Sequence, residues 1–368
     1  MRPDSLPHTP GLFSIALLLV LTIGTAARAE WVTQPSGTSV RLRGVSAVGS
    51  RVAWASGDKG TFARTTDGGR TWTAGIVPGA DALDFRDVDA FDADTAYLLS
   101  IGEGDKSRIY KTTDGGKHWE LQFKSARATS FFDSMAFWDR DHGIAVSDPV
   151  DGRFLIISTA DGGKTWKEMP ADGMPLALEG EGAFAASGTC IAVEGRVNVW
   201  FATGGPNGAR VFRSTDRGRT WAVATTPMVS GKSAGVFSIT FWDALRGAVV
   251  GGDYTKEGEA GNNVAVTADG GRTWATIKGP GPSGYRSCVV FVPGTRSRRS
   301  APVLFAVGPT GSEYSLDGGA SWASAGTVGF HSADFAGPKD AGWAVGERGL
   351  IAKYTGSVLD KSKTQATR

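Results

Sequence analysis

From residue 31 onward the apolar positions fall in short alternating runs, cut by clusters of Gly, Asp, Ser and Pro. Such runs predict short strands joined by tight turns. The first group reads Arg43 to Val48, Val52 to Ser56, Thr61 to Thr65 and Trp72 to Val77, four strands in a row (A to D). The same order repeats over 85–123, 131–170, 183–227, 236–278 and 285–325. A seventh group starts at Phe330-His331-Ser332, continues through Trp343 to Val345 and Leu350 to Tyr354, and stops without a fourth strand.

One octapeptide marks the turn between the third and fourth strands of each complete group. Its first copy is Thr65-Thr-Asp-Gly-Gly-Arg-Thr-Trp72, and its aspartates are Asp67, Asp114, Asp161, Asp216, Asp269 and Asp317, spaced 47 to 55 residues apart. Fixed periods of this size indicate propellers or solenoids. The motif is the Asp-box, Ser/Thr-x-Asp-x-Gly-x-Thr-Trp. Its Asp can accept hydrogen bonds from backbone N–H groups in the turn. Its second Gly supplies a backbone conformation closed to residues with a Cβ. Its Trp offers a large face for packing between groups. Six equivalent aspartates would be redundant as catalysts, so the motif is read as structural.

The seventh group lacks a fourth strand, and Trp31-Val-Thr-Gln34 is left over at the other end. That segment begins with Trp, as the other fourth strands do. The economical arrangement is all-β: a seven-bladed β-propeller of four-stranded antiparallel blades, in which residues 31–34 join the C-terminal blade and close the ring. Closure removes exposed sheet edges. Residues 30–356 then form the propeller, and residues 357–368 read as a polar tail.

The first 29 residues form a separate unit. An apolar run from Leu12 to Ile23 precedes Ala27-Arg28-Ala29, the pattern of a secretory signal peptide cleaved before Glu30. The expected location is therefore periplasmic or secreted, with membrane contact only through a client or an uncleaved leader. Formal net charge is +2, with 21% charged residues, so no strong field exists to draw nucleic acid. A monomer is expected. Cys190 and Cys288 fall in inner strands of non-adjacent blades and read as buried free thiols.

Six Asp-boxes in seven blades resemble the photosystem II assembly-factor-like propellers. The resemblance covers essentially the whole mature chain and implies a non-catalytic protein that binds a protein or peptide client, as an assembly or stability factor for an envelope complex. It also implies that an arginine-bearing face meets the client. No cofactor or metal is implied.

Aligning the repeats shows which residues ring one mouth of the channel. Entering the first strands are Leu42-Arg-Gly44, Phe85-Arg-Asp87, Phe131-Phe-Asp133, Val236-Phe-Ser238, Tyr285-Arg-Ser287 and Phe330-His-Ser332, while the fourth group departs with Glu181 to Ser187. Cations (Arg43, Arg86, Arg286 and His331) thus meet carboxylates (Asp58, Glu103, Asp148, Asp253 and Glu347), with Tyr254 and Tyr285 beside them. This ring reads as a polar binding face, since Arg grips carboxylates in a bidentate way; charges that merely neutralise one another between blades are the other reading.

The rival function is a carbohydrate-active enzyme, sialidase-like or another glycoside hydrolase, using channel-face carboxylates such as Glu103, Asp148 or Asp253. Against it, the Arg-Ile-Pro signature that opens sialidase domains is absent. Gly231-Lys-Ser-Ala-Gly235 lacks the strand–turn–helix setting of a nucleophile elbow. The histidines lack metal-ligand spacing, and Asp87, Asp89, Asp92 and Asp94 read as a solvated strand end rather than a calcium loop.

Overall fold

The computed structural model describes residues 30–297, 300–337 and 341–359; the leader reading of residues 1–29 lies outside them. Among the described residues, twenty-eight strands form seven four-stranded antiparallel sheets. Blade 1 is built from β2 (Leu42–Ala47), β3 (Ala53–Gly57), β4 (Thr61–Thr65) and β5 (Thr73–Ile76). Blades 2 to 6 follow in order, and innermost strands of consecutive blades touch all the way round, including last to first.

Blade 7 has β26 (Ser332–Phe335), β27 (Gly342–Val345), β28 (Ile351–Tyr354) and, as its fourth strand, β1 (Trp31–Gln34). β1 runs antiparallel to β28, with Trp31 opposite Tyr354 and Gln34 opposite Ile351. Trp31 is buried among Phe305, Phe330, Phe335 and Tyr354. The Gln34 side-chain oxygen accepts from the indoles of both Trp72 (2.9 Å) and Trp343 (3.3 Å), joining blade 1 to blade 7 at the seam.

The core is distributed between blades. Each of the seven blade interfaces has its own apolar cluster; one joins Trp54 and Phe62 of blade 1 to Phe85, Val88 and Tyr110 of blade 2. Stability therefore depends on every neighbour being present, which closure guarantees.

The octapeptide turns are wired alike. In blade 1, Asp67 Oδ1 accepts the Thr71 N–H (3.0 Å), Oδ2 accepts the Thr71 hydroxyl (2.7 Å), and the Thr65 hydroxyl oxygen accepts the Gly69 N–H (2.9 Å). Gly68 and Gly69 both sit at φ near 80°, where side chains are disfavoured. Blade 4 shows the limit of that demand: Arg217 replaces the first Gly at φ 62°.

The innermost strands do not form a ladder with one another, so their N–H groups need other acceptors. Side chains of a neighbouring blade provide them. Ala47 N–H donates to Asp334 (2.8 Å), Ala90 N–H to Ser46 (3.1 Å), Met135 N–H to Asp87 (2.7 Å) and Val289 N–H to Ser238 (2.8 Å). Asp87 is thus buried in the channel wall rather than on a solvated strand end, and the half-buried Asp89 lines the channel beside it. Cys190 and Cys288 are buried free thiols. The polar-tail reading fails at its start, because Val358 and Leu359 pack into the blade 6–blade 7 core; 360–368 lie outside the described residues.

Candidate functional site

Four of the innermost strands carry a β-bulge at the same place. The register slips between Leu42 and Gly44, Phe85 and Asp87, Phe132 and Ser134, and Val236 and Ser238. The residues skipped are Arg43, Arg86, Asp133 and Phe237. A bulge bends the strand and re-aims the extra side chain; three of these four, Arg43, Arg86 and Phe237, thereby line a cavity of about 490 Å³ at the channel mouth.

The cavity has two chemically distinct walls. On one side stand Arg41, Arg43, Arg86 and His331; on the other Phe184, Phe237, Tyr254 and Tyr285. Phe184 stacks on Phe237 with ring centroids 3.9 Å apart, and Tyr285 meets Phe237 edge-on at 4.7 Å. Burial keeps the Tyr285 phenol protonated, its pKa raised above the ordinary value.

The cations are not equally compensated. Arg41 pairs with Asp58 (3.2 Å) and Arg86 with Asp84 (2.9 Å). Arg43 has no carboxylate within ion-pair distance among the described residues. It is 8% exposed, its Nη2 donates to the Ala186 carbonyl (2.7 Å), and its Nε is buried without an acceptor. Burial, then the charges of Arg86 and Arg41, lower its pKa to about 10, which leaves it charged at neutral pH. Burial and then the Arg43 charge lower His331 to about 4, so a neutral imidazole meets Glu347 through Nε2 (2.8 Å). The wall is therefore positive at Arg43, which has no anionic oxygen beside it although Glu347 and Glu257 line the same cavity.

The floor comes from blade 4, whose sequence departs from the repeat. The segment leading to β14 (Ile191–Glu194) crosses the channel. Arg86 Nη1 donates to Ala185 O (2.9 Å) and Arg43 to Ala186 O. Ser187 Oγ donates to Ser287 O (2.7 Å), Ser332 Oγ to Ser187 O (3.0 Å), Ser134 Oγ to Gly188 O (2.8 Å) and Ile239 N–H to Thr189 O (2.9 Å). Five residues thus touch all six other blades. Beneath them lies a second cavity of about 230 Å³ lined by Asp87, Asp89 and Asp334.

No protein-family model matches the chain, and no curated protein matches it either. Solved structures do. A structure described as YCF48 bound to D1 peptide superposes with a TM-score of 0.62 at 17% identity, covering 91% of this chain and 99% of that one. YCF48 from Cyanidioschyzon merolae superposes with a TM-score of 0.59 at 19% identity, covering 89% and 99%.

The fold is that of YCF48.

At such identity the likeness to YCF48 is one of architecture, a seven-bladed propeller similar to the assembly-factor-like group that the repeats resemble. The site has to be read from this chain's own side chains. Of the residues picked from the repeat alignment, Arg43, Arg86, His331, Tyr254, Tyr285 and Glu347 come together in the cavity. Asp58 stays outside it, paired with Arg41; burial and the neighbouring Asp84 raise its pKa. Asp253 also stays outside, accepting the N–H and hydroxyl of its near neighbour Thr255. Glu103 and Asp148 line a separate depression, where Asp148 accepts the Ala183 N–H (2.8 Å).

Arg286 corrects the alignment. Its blade has no bulge at this place, because the first strand starts only at Cys288. The Arg286 N–H is tied to Gly251 of blade 5, and the side chain turns into its own blade. There the guanidinium is fully buried, forms a bidentate pair with Glu313 (2.5 Å) and also reaches Tyr285 O, Thr310 and Ser283. Every donor is used within the protein. Arg286 is structural and does not face the channel.

The alignment missed Arg41, Phe184, Phe237 and Glu257. Phe237 stands in the register column of Arg43 and Arg86 and was readable there. Phe184 was signalled only by the break in the blade 4 pattern.

Proposed function

We propose that this chain is a non-catalytic propeller that captures a protein or peptide client through a carboxylate group seated in the arginine cavity. Arg43 carries the reading: a buried, charged guanidinium facing a cavity, its buried Nε without an acceptor and no carboxylate beside it. An incoming carboxylate would satisfy Nε and compensate the charge, and charge-assisted pairs of this kind are the strong ones. The facing aromatic wall suits an apolar side chain next to that carboxylate, as at a peptide C-terminus. The YCF48 structure with a bound D1 peptide supports a peptide client for this architecture. The six octapeptide turns are taken as Asp-boxes that hold the blades and play no part in capture.

The leader pattern in residues 1–29 supports export, and with it a client belonging to an envelope complex. Affinity capture with chemical crosslinking from the native envelope tests the whole reading. A discrete client is expected with the wild-type protein and none with Arg43→Glu combined with Arg86→Glu. Equal capture by both proteins would reject the cavity as the site.

A further inference from the structure

The backbone between Gly182 and Ser187 is held unlike the chain on either side. At its start, Gly182 and Gly204 exchange backbone hydrogen bonds (3.0 Å each). From Ser187 to Cys190 it is pinned by Ser287, Ser332, Ser134, Ile239 and Ala202. Between these anchors, the polar ties to the rest of the ring are few. Asp148 accepts the Ala183 N–H, the Ala185 N–H faces the Asp133 carboxylate, Arg86 donates to Ala185 O and Arg43 donates to Ala186 O, with Phe184 resting on Phe237. Gly180 and Gly188, at φ 70° and 72°, flank the stretch.

Two neutral carbonyls therefore each take an N–H, Nη2 of Arg43 and Nη1 of Arg86, that a client carboxylate would need. We propose that the Ala183–Ala186 stretch is a built-in competitor: its carbonyls hold Arg43 Nη2 and Arg86 Nη1 in the empty protein and give way when a client carboxylate takes their place. This rests on the client-capture reading of the cavity. The exchange favours the client, because a carboxylate brings a full negative charge and two oxygens that can pair with the guanidinium bidentately, where each carbonyl offers one neutral oxygen. The tethers then set affinity, since whatever holds the stretch down must be overcome before binding. Asp148 tunes the site from outside the cavity.

The test uses the full chain and the dipeptide acetyl-Gly-Phe with a free C-terminal carboxylate, against its C-terminal amide. Calorimetry gives Kd, and hydrogen–deuterium exchange follows amides 183–187. The wild type is expected to bind the free acid and not the amide, with faster exchange of those amides on binding. Asp148→Ala, which frees the Ala183 N–H, is expected to bind about ten-fold tighter, a change of about 1.4 kcal/mol. Ser332→Ala, which frees Ser187 O from a residue outside the cavity, is expected to shift Kd in the same direction and serves if Asp148→Ala does not fold. Equal or weaker binding by the variants, with unchanged exchange, overturns the competitor and leaves the capture reading standing. Failure of the free acid to bind any of the proteins overturns both.

Discussion

Nη2 of Arg43 lies 2.7 Å from the carbonyl oxygen of Ala186, a residue 143 positions away that reaches the channel from the far side of the ring. That hydrogen bond is where the repeat meets blade 4's departure from it. Arg43 is there because a bulge in blade 1 re-aims it. Ala186 is there because blade 4 sends a segment across the axis instead of starting its first strand. A buried cation thus faces a neutral oxygen where an anion would bind better.

Arg43→Met keeps the apolar stem and removes the charge. Client capture should weaken by at least about ten-fold, or about 1.4 kcal/mol. Thermal stability should change little, because the lost hydrogen bond is offset by relief of a desolvated charge. Titration of the captured client and a melting curve on the same preparation check both halves.

Arg286→Ala should behave in the opposite way despite standing in the same repeat column. It strands Glu313 in a buried pocket without its partner, and breaking a buried pair costs about 3–5 kcal/mol. A denaturant titration should show that loss. If Arg286→Ala instead abolished capture at unchanged stability, Arg286 would belong to the binding face after all.

Trp31→Ala tests the ring's seam. The indole is buried among four aromatic rings, and its Nε1 donates to Ser312 Oγ (3.1 Å) on blade 6. Removing a buried Trp costs about 3–5 kcal/mol, and here the loss falls on the strand that closes the circle. Unfolding should remain cooperative with a lower midpoint, and residues 30–34 should exchange amide hydrogens fastest among the strands of blade 7.

Acid and base should act on different carboxyls. Burial raises Asp87 to about 7, Asp89 to about 8 (helped by the charges of Asp87 and Asp334) and Asp334 to about 6. Groups raised in this way contribute stability that is complete below the unfolded value of about 4 and is lost as pH climbs through 6 to 8. Asp67, held at about 2 by the N–H and hydroxyl of Thr71, and Asp161, held there by the hydroxyl and N–H of Thr165, work the other way. Their contribution is present above about pH 4 and lost toward pH 2. His331, lowered to about 4, opposes the channel acids between about 6.5 and 4, one group against three. The melting temperature should therefore peak at mildly acidic pH and fall toward both pH 8 and pH 2.5. Asp89→Asn should raise it at pH 8 and leave it almost unchanged at pH 5. A midpoint that rises steadily from pH 5 to pH 8 would contradict this assignment.

The sequence by itself determined the blade count, the turn that pins each blade and the strand that completes the last one. All three are local or periodic: Asp67 bonds residues within four positions of itself, and the unpaired Trp31–Gln34 had a single vacant place in a repeating pattern. The column holding Arg43, Arg86, Phe237, Arg286 and His331 was legible for the same reason. Which of its members face the channel was decided only by tertiary structure: Arg43, Arg86 and Phe237 at bulges and His331 without one line the cavity, whereas Arg286 finds Glu313 inside its own blade, and neither a one-residue bulge nor a long-range partner leaves a periodic trace. The blade 4 floor was decided there too. Ala185 and Ala186 are unremarked in sequence, and their backbone carbonyls matter only because six other blades place their own donors and acceptors around the segment that carries them.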